Sequence, residues 1–137
     1  MGGKNGKGPR VLNSNPFLRA YSLDVTKFLK NNPDVWIDWG TNRETQRIIA
    51  EQDGFREIYQ LALGHAMAYE LTILYCTSGH HRSPAVAELV VMHMHNVGMQ
   101  HLDVGIFHVD IDASEADVEW LKTWRPRDHR YALMPPE

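Results

Sequence analysis

Leu71-Thr72-Ile73-Leu74-Tyr75-Cys76-Thr77-Ser78-Gly79-His80-His81-Arg82-Ser83-Pro84-Ala85-Val86-Ala87-Glu88-Leu89-Val90-Val91 decides the fold. The apolar, β-prone run over 71–76 reads as a buried strand. From Pro84 onward, small and apolar residues recur at helical spacing, which predicts a helix over 84–96 stopped by Gly98. Pro84 fits the first helical turn, where a missing N–H costs little. The residues between leave room only for a tight turn. A strand, a turn and a helix N-terminus in that order bring unpaired backbone N–H groups to one point, which suits an anion. Arg82 adds a planar, permanently charged fork that matches a phosphate, and Thr77 and Ser83 add hydroxyl donors. His80 and His81 share the loop; protonated they donate to a phosphate, and neutral they can orient the turn. A phosphate-like group is therefore expected at residues 76–83, with Ser78 and Gly79 contributing backbone.

Cys76 admits two readings. A thiol at the mouth of a cationic, helix-terminated loop can act as a nucleophile. A free cysteine at the end of a core strand can equally be simple packing. It is the only cysteine in the chain, which excludes an internal disulfide and any paired-cysteine metal or redox motif and fits a reducing, cytoplasmic compartment.

The rest of the sequence reads outward from this unit. Leu18 to Leu29 predicts a strand ending near Lys30-Asn31-Asn32-Pro33, and Trp36-Ile37-Asp38-Trp39-Gly40 a polar-aromatic loop. Glu44 to Tyr69 places Ile48, Ile49, Phe55, Ile58, Leu61 and Ala62 at helical spacing, with Gly54 as a break between two helices. Gly105 to Ile111 predicts another strand. Ser114, with Asp117 three residues on, caps a last helix through Val118, Trp120, Leu121 and Trp124. Strands alternating with helices predict an α/β fold: a single three-layer α/β/α domain with a mainly parallel sheet, and ligands at the strands' carboxyl ends. The expected organisation is a flexible tail over 1–10 and one domain over 11–137.

Composition supports one domain: 137 residues, 43% hydrophobic and 23% charged, can bury a core. No run approaches ~20 apolar residues, so no membrane span is expected. Met1 to Arg10 lacks the apolar segment of a secretory signal, has Gly6 where myristoylation wants Ser or Thr, and contains no Walker A sequence. A net charge of −3 argues against broad nucleic-acid binding. A local basic run, Lys122, Arg125, Arg127, His129 and Arg130, reads either as a solvated helix end or as an RNA contact. His93 and His95 lie two apart on different helix faces, a poor metal pair. Met92, Met94 and Met99 read as packing. No metal or cofactor is expected, and a homo-oligomer is compatible with the sequence.

Thr72-Ile73 leading into Cys76-Thr77, then Gly79, His81-Arg82-Ser83 and Ala87-Glu88, resembles the C-terminal domain of the RapZ (RNase adapter) family, with its C-T-G-G-x-H-R-S-x-x-x-A-E pattern after an L-T-[IV] strand. Asp24-Val25-Thr26-Lys27-Phe28-Leu29, with Asn31 and Pro33, is similar to that family's D-V-R-F-L-P-N-P. This chain has Ser78 in place of a glycine and Lys27 in place of an Arg. The resemblance covers residues 18–110. It implies an amino-sugar phosphate held by Asp24, Cys76, Thr77, Gly79, His81, Arg82 and Ser83, and a regulatory RNA as partner. Cys76, Gly79, Arg82 and Ser83 also match the C-x-x-G-x-x-R-[ST] loop of protein tyrosine phosphatases, and Trp36 to Gly40 resembles their W-P-D-x-G loop. That resemblance implies Cys76 as nucleophile, Arg82 as oxyanion holder and Asp38 as general acid. The expected function is a phosphorylated-metabolite-binding domain; the alternatives are a cysteine phosphatase and a purely structural module.

Overall fold

Two parallel strands, β1 (Ser22–Asp24) and β2 (Ile73–Tyr75), organise the chain in the computed structural model, which describes residues 7–30, 38–77, 80–98 and 105–126. Their register pairs Ser22 with Ile73, Leu23 with Leu74 and Asp24 with Tyr75. Parallel pairing needs a long crossover. Here it includes α3 (Arg43–Ala50) and α4 (Phe55–Ala68), and it brings both strands' carboxyl ends to one edge.

Side chains alternate across a strand, and the alternation sorts the core. The register partners Leu23 and Leu74 pack on a cluster containing Val25, Leu29, Ile49, Ile58, Val86 and Met94. Ile73 and Tyr75 pack instead on Val11, Leu12, Leu18, Tyr21, Leu121 and Trp124. The described residues thus form a mixed helix–strand fold around a parallel pair, as the α/β expectation requires at its coarsest.

Two helices precede β1: α1 (Lys7–Ser14) and α2 (Pro16–Arg19). Residues 7–10, expected as tail, are the first turn of α1, because Val11 and Leu12 are buried against Leu121 and Trp124 and hold the helix down. Asn15 caps α2 by accepting from the Phe17 N–H at 3.1 Å. Its buried amide donates to the Leu121 and Trp124 carbonyls at 2.9 and 2.8 Å. Both carbonyls lie at the end of the last described helix, so one side chain serves two helix termini.

The strand expected over 18–29 shrinks to three residues. Asn15-Pro16 starts a helix before it, and the Asp24 carboxylate accepts from the Thr26 N–H at 3.0 Å, capping a 3₁₀ turn over Val25–Lys27. The two expected helices over 44–69 form as α3 and α4, with the break at Gly54. A Cβ there would run into the Phe28 carbonyl oxygen, so the α3–α4 junction packs directly on the turn after β1.

Helix α5 (Arg82–Asn96) starts two residues before Pro84, and Gly98, two residues past its end with a φ of 86°, is the left-handed stop. The strand expected over 105–111 does not form. The His108 carbonyl accepts the N–H groups of Ile111, Asp112 and Ala113, each at 3.0 Å, while Asp112 Oδ1 accepts from the His108 N–H at 2.9 Å. A closed turn takes the groups that a ladder would need. The last helix, α6 (Glu115–Thr123), carries the expected reciprocal cap between Ser114 and Asp117. No helix among the described residues is long and apolar enough to cross a membrane.

Candidate functional site

Register places Asp24 opposite Tyr75, so Cys76 follows directly at the carboxyl edge of the pair, facing the start of α5. The Cys76 thiol is buried, 3.2 Å from Ser83 Oγ, and accepts from the Ser83 N–H at 3.5 Å. These contacts tie Cys76, at the end of β2, to the start of α5. Ser78 and Gly79 lie outside the described residues.

Arg82 is only 6% exposed. Its Nη1 donates to the Leu29 carbonyl at 2.8 Å and its Nη2 to Thr77 Oγ1 at 3.3 Å. Among the described residues no carboxylate pairs with it. Burying a cation without an anion is costly, and an oxyanion beside Thr77 would relieve that cost. The same residue opens a 15-residue helix whose N-cap, His81, makes no side-chain capping bond. The Ser83 N–H already meets the Cys76 sulfur and Pro84 has no N–H, so the helix dipole and the Arg82 guanidinium are what this helix start offers an anion.

His80 and His81 behave differently. The His80 ring stacks on Trp39 with centroids 5.5 Å apart, and its Nε2 lies 3.1 Å from the Asp110 carbonyl. The His80 carbonyl accepts the Gly40 N–H at 2.7 Å. A Cβ on Gly40 would run into the His81 carbonyl oxygen and lie 2.6 Å from the Ala85 nitrogen. The segment Asp38-Trp39-Gly40 is thus docked onto the loop, as the sequence could suggest only by likeness. Asp38 itself is exposed, with Oδ1 accepting from the Trp39 N–H at 2.8 Å; Trp36 and Ile37 lie outside the described residues. Burial holds His81 below the ordinary histidine value, with the charges of His80 and Arg82 adding to the effect.

Asp24 reaches the right edge of the sheet, but its Oδ1 is used within its own turn, accepting from the Thr26 N–H and, at 2.6 Å, from Thr26 Oγ1. The basic run is not gathered into a patch by its described members. Lys122 pairs with Glu119 at 3.4 Å, and the Arg125 guanidinium lies 4.8 Å over the Phe17 ring and donates to the Trp124 carbonyl. Arg127, His129 and Arg130 lie outside the described residues. His93 meets the Tyr59 ring edge-on, and no cluster of metal-ligating side chains occurs among the described residues.

Sequence reasoning missed one pair. His108 Nε2 lies 2.7 Å from Glu88 Oε2, fastening the 105–112 turn to α5. Glu88 was legible only as part of a motif, and nothing local marked His108 as its partner. Between that turn and β2 runs a cavity of about 490 Å³, to which Cys76 and Ser83 contribute wall. No family model matches this chain, and neither a curated protein nor a solved structure matches it.

Proposed function

We propose that this chain is a binding domain for a small phosphate monoester, held by the loop between β2 and α5. The observation that carries the proposal is Arg82: a buried guanidinium, without an acidic partner among the described residues, at the first turn of a helix that lacks a side-chain cap. In the bound state the Arg82 guanidinium at the helix N-terminus holds the phosphoryl oxygens, and Thr77 and Ser83 supply hydroxyls. His81 faces the loop as a neutral ring that can gain a proton when a dianion arrives. Cys76 anchors the loop through Ser83. The likeness to the RapZ C-terminal domain supports this ligand class and suggests an amino sugar as the esterified group. A layered α/β/α arrangement belongs to the same proposal, supported by one apolar cluster for each set of alternating strand side chains. Titration calorimetry with inorganic phosphate and with an amino-sugar phosphate tests it. Saturable binding that Arg82→Ala abolishes is expected, and absence of phosphate binding at millimolar concentration overturns it.

A second reading, a cysteine-dependent phosphatase, is favoured by two specific contacts: the Ser83 N–H donating to the Cys76 sulfur with the Ser83 hydroxyl beside it, and the Asp38-Trp39-Gly40 segment docked on the loop through Trp39 and His80. In that chemistry the Cys76 thiolate attacks phosphorus and the ester oxygen leaves with a proton from Asp38. Water then releases inorganic phosphate from the sulfur. Turnover of an aryl phosphate above the buffer rate, lost in Cys76→Ser, distinguishes it from binding alone.

A further inference from the structure

The cavity beside the loop is bounded on one side by residues 69–76, on the other by 105–110, and by α5 through Pro84, Ala87, Val90 and Met94. Its size falls within the roughly 300–1,000 Å³ of small-molecule sites. Leu12, Leu71, Val90, Met94, Ile106 and Leu121 give it a mainly hydrocarbon wall. Tyr69, Glu70, Thr72, Tyr75 and Asp110 also line it, and His108 is already committed to Glu88. Cys76 and Ser83 belong both to this wall and to the contact that ties β2 to α5.

We infer that the ester group of the ligand is an aliphatic chain, seated in this cavity while its phosphate is held at the loop. This rests on the phosphate-binding proposal above and puts an aliphatic alcohol in place of the amino sugar that the RapZ likeness suggests. The two halves of the site call for opposite chemistry: a buried cation at the loop, and hydrocarbon immediately past Cys76 and Ser83. Asp24, the acid expected to meet a sugar's hydroxyl groups, does not line this cavity, and its Oδ1 already accepts two bonds from Thr26. A phosphorylated alcohol of medium chain length meets both requirements.

Calorimetric titration of the full chain with inorganic phosphate, then butyl, hexyl and octyl phosphate, tests this. Each methylene moved from water into the cavity should raise affinity about fourfold, so octyl phosphate should bind on the order of a hundredfold more tightly than butyl. Ala87→Phe, which places a ring in the cavity, should flatten that series and leave inorganic phosphate unchanged. Ala66→Leu on a separate part of the wall makes the same test if Ala87→Phe does not fold. Arg82→Ala should weaken every member. Phosphate binding with no gain along the series, or octyl phosphate binding that survives Arg82→Ala, overturns the aliphatic assignment and leaves the loop proposal standing. Failure of inorganic phosphate itself to bind overturns the loop proposal, and the assignment built on it falls too.

Discussion

Arg82 Nη1 donates to the Leu29 carbonyl across 53 residues of sequence, at 2.8 Å and out of contact with solvent. One end of the guanidinium is therefore a strut between α5 and the turn after β1, and the other end reaches Thr77 in the loop. A residue expected from sequence to serve only a ligand also holds two parts of the fold together.

Arg82→Ala should consequently do two things. Loss of charge-assisted contacts should cost about 2–4 kcal/mol of phosphate affinity. Leaving the buried Leu29 carbonyl unpaired should cost about 1–3 kcal/mol of stability. Arg82→Lys keeps the charge but not the fork, and should recover part of the affinity with little of the stability. Paired calorimetry and urea denaturation check both; unchanged stability in Arg82→Ala would remove the strut.

Gly40→Ala should be destabilising for a reason unrelated to backbone freedom. The new methyl would meet backbone atoms, the His81 carbonyl oxygen and the Ala85 nitrogen, which cannot swing aside as a side chain would. Overpacking of this kind typically costs about 1–3 kcal/mol. Because the collision is with the first turn of α5, phosphate affinity should fall together with the melting temperature. An alanine variant that melts like the parent would show that the 38–40 segment does not rest on the loop.

Much of this was legible in the chain, and the failures have causes. The strand–turn–helix unit, the Gly54 break and the Ser114–Asp117 cap all rest on neighbours a few residues apart, which sequence displays directly. The strand expected over 18–29 stops at Asp24 because that side chain captures a backbone N–H that a longer ladder would use, and the strand over 105–111 is absent because Asp112 and the His108 carbonyl close a turn. Both are competitions between side chain and sheet that hydrophobic alternation does not reveal. Glu88–His108, Trp39–His80 and Asn15–Leu121 depend on long-range packing, so no local pattern announces them.

Acid should destabilise the fold, and phosphate should oppose the effect. His81 titrates below its ordinary value of 6.5, chiefly because it is buried, and His65 shifts the same way for the same reason. The folded chain thus resists protons that the unfolded chain accepts, so stability is fully present above about 6.5 and declines as pH falls through the folded values. A phosphate at the loop would favour the His81 imidazolium and reduce that decline. Melting curves between about pH 7.5 and 5, with and without phosphate, should converge less steeply in its presence. His81→Asn should flatten the profile, and a profile untouched by that change would place the acid sensitivity elsewhere.

Cys76 and Asp38 separate binding from catalysis. The sulfur lies against Ser83 Oγ, so Cys76→Ala removes buried volume and one partner of that hydroxyl, and should cost about 1–2 kcal/mol of stability under either reading. Cys76→Ser preserves a polar contact and much of the volume, and is the cleaner probe. A binding domain predicts no turnover of an aryl phosphate by the parent chain, and a change of only about 1 kcal/mol in phosphate affinity for Cys76→Ser. A phosphatase predicts abolished turnover in Cys76→Ser with binding retained, because a hydroxyl is far less ionised than a thiol and a poorer nucleophile. Asp38 then decides the leaving-group dependence. Its carboxylate is exposed and accepts from its own segment's Trp39 N–H, on a segment that rests against His80. As general acid it would matter most for basic leaving groups, so Asp38→Asn should slow alkyl phosphates by about 10²–10⁴-fold and activated aryl phosphates far less. Equal rates for Asp38→Asn and the parent on both substrate types would leave Asp38 as a surface residue of a docked turn, whereas absence of any turnover by the parent would leave phosphate capture, without chemistry, as the function of the loop.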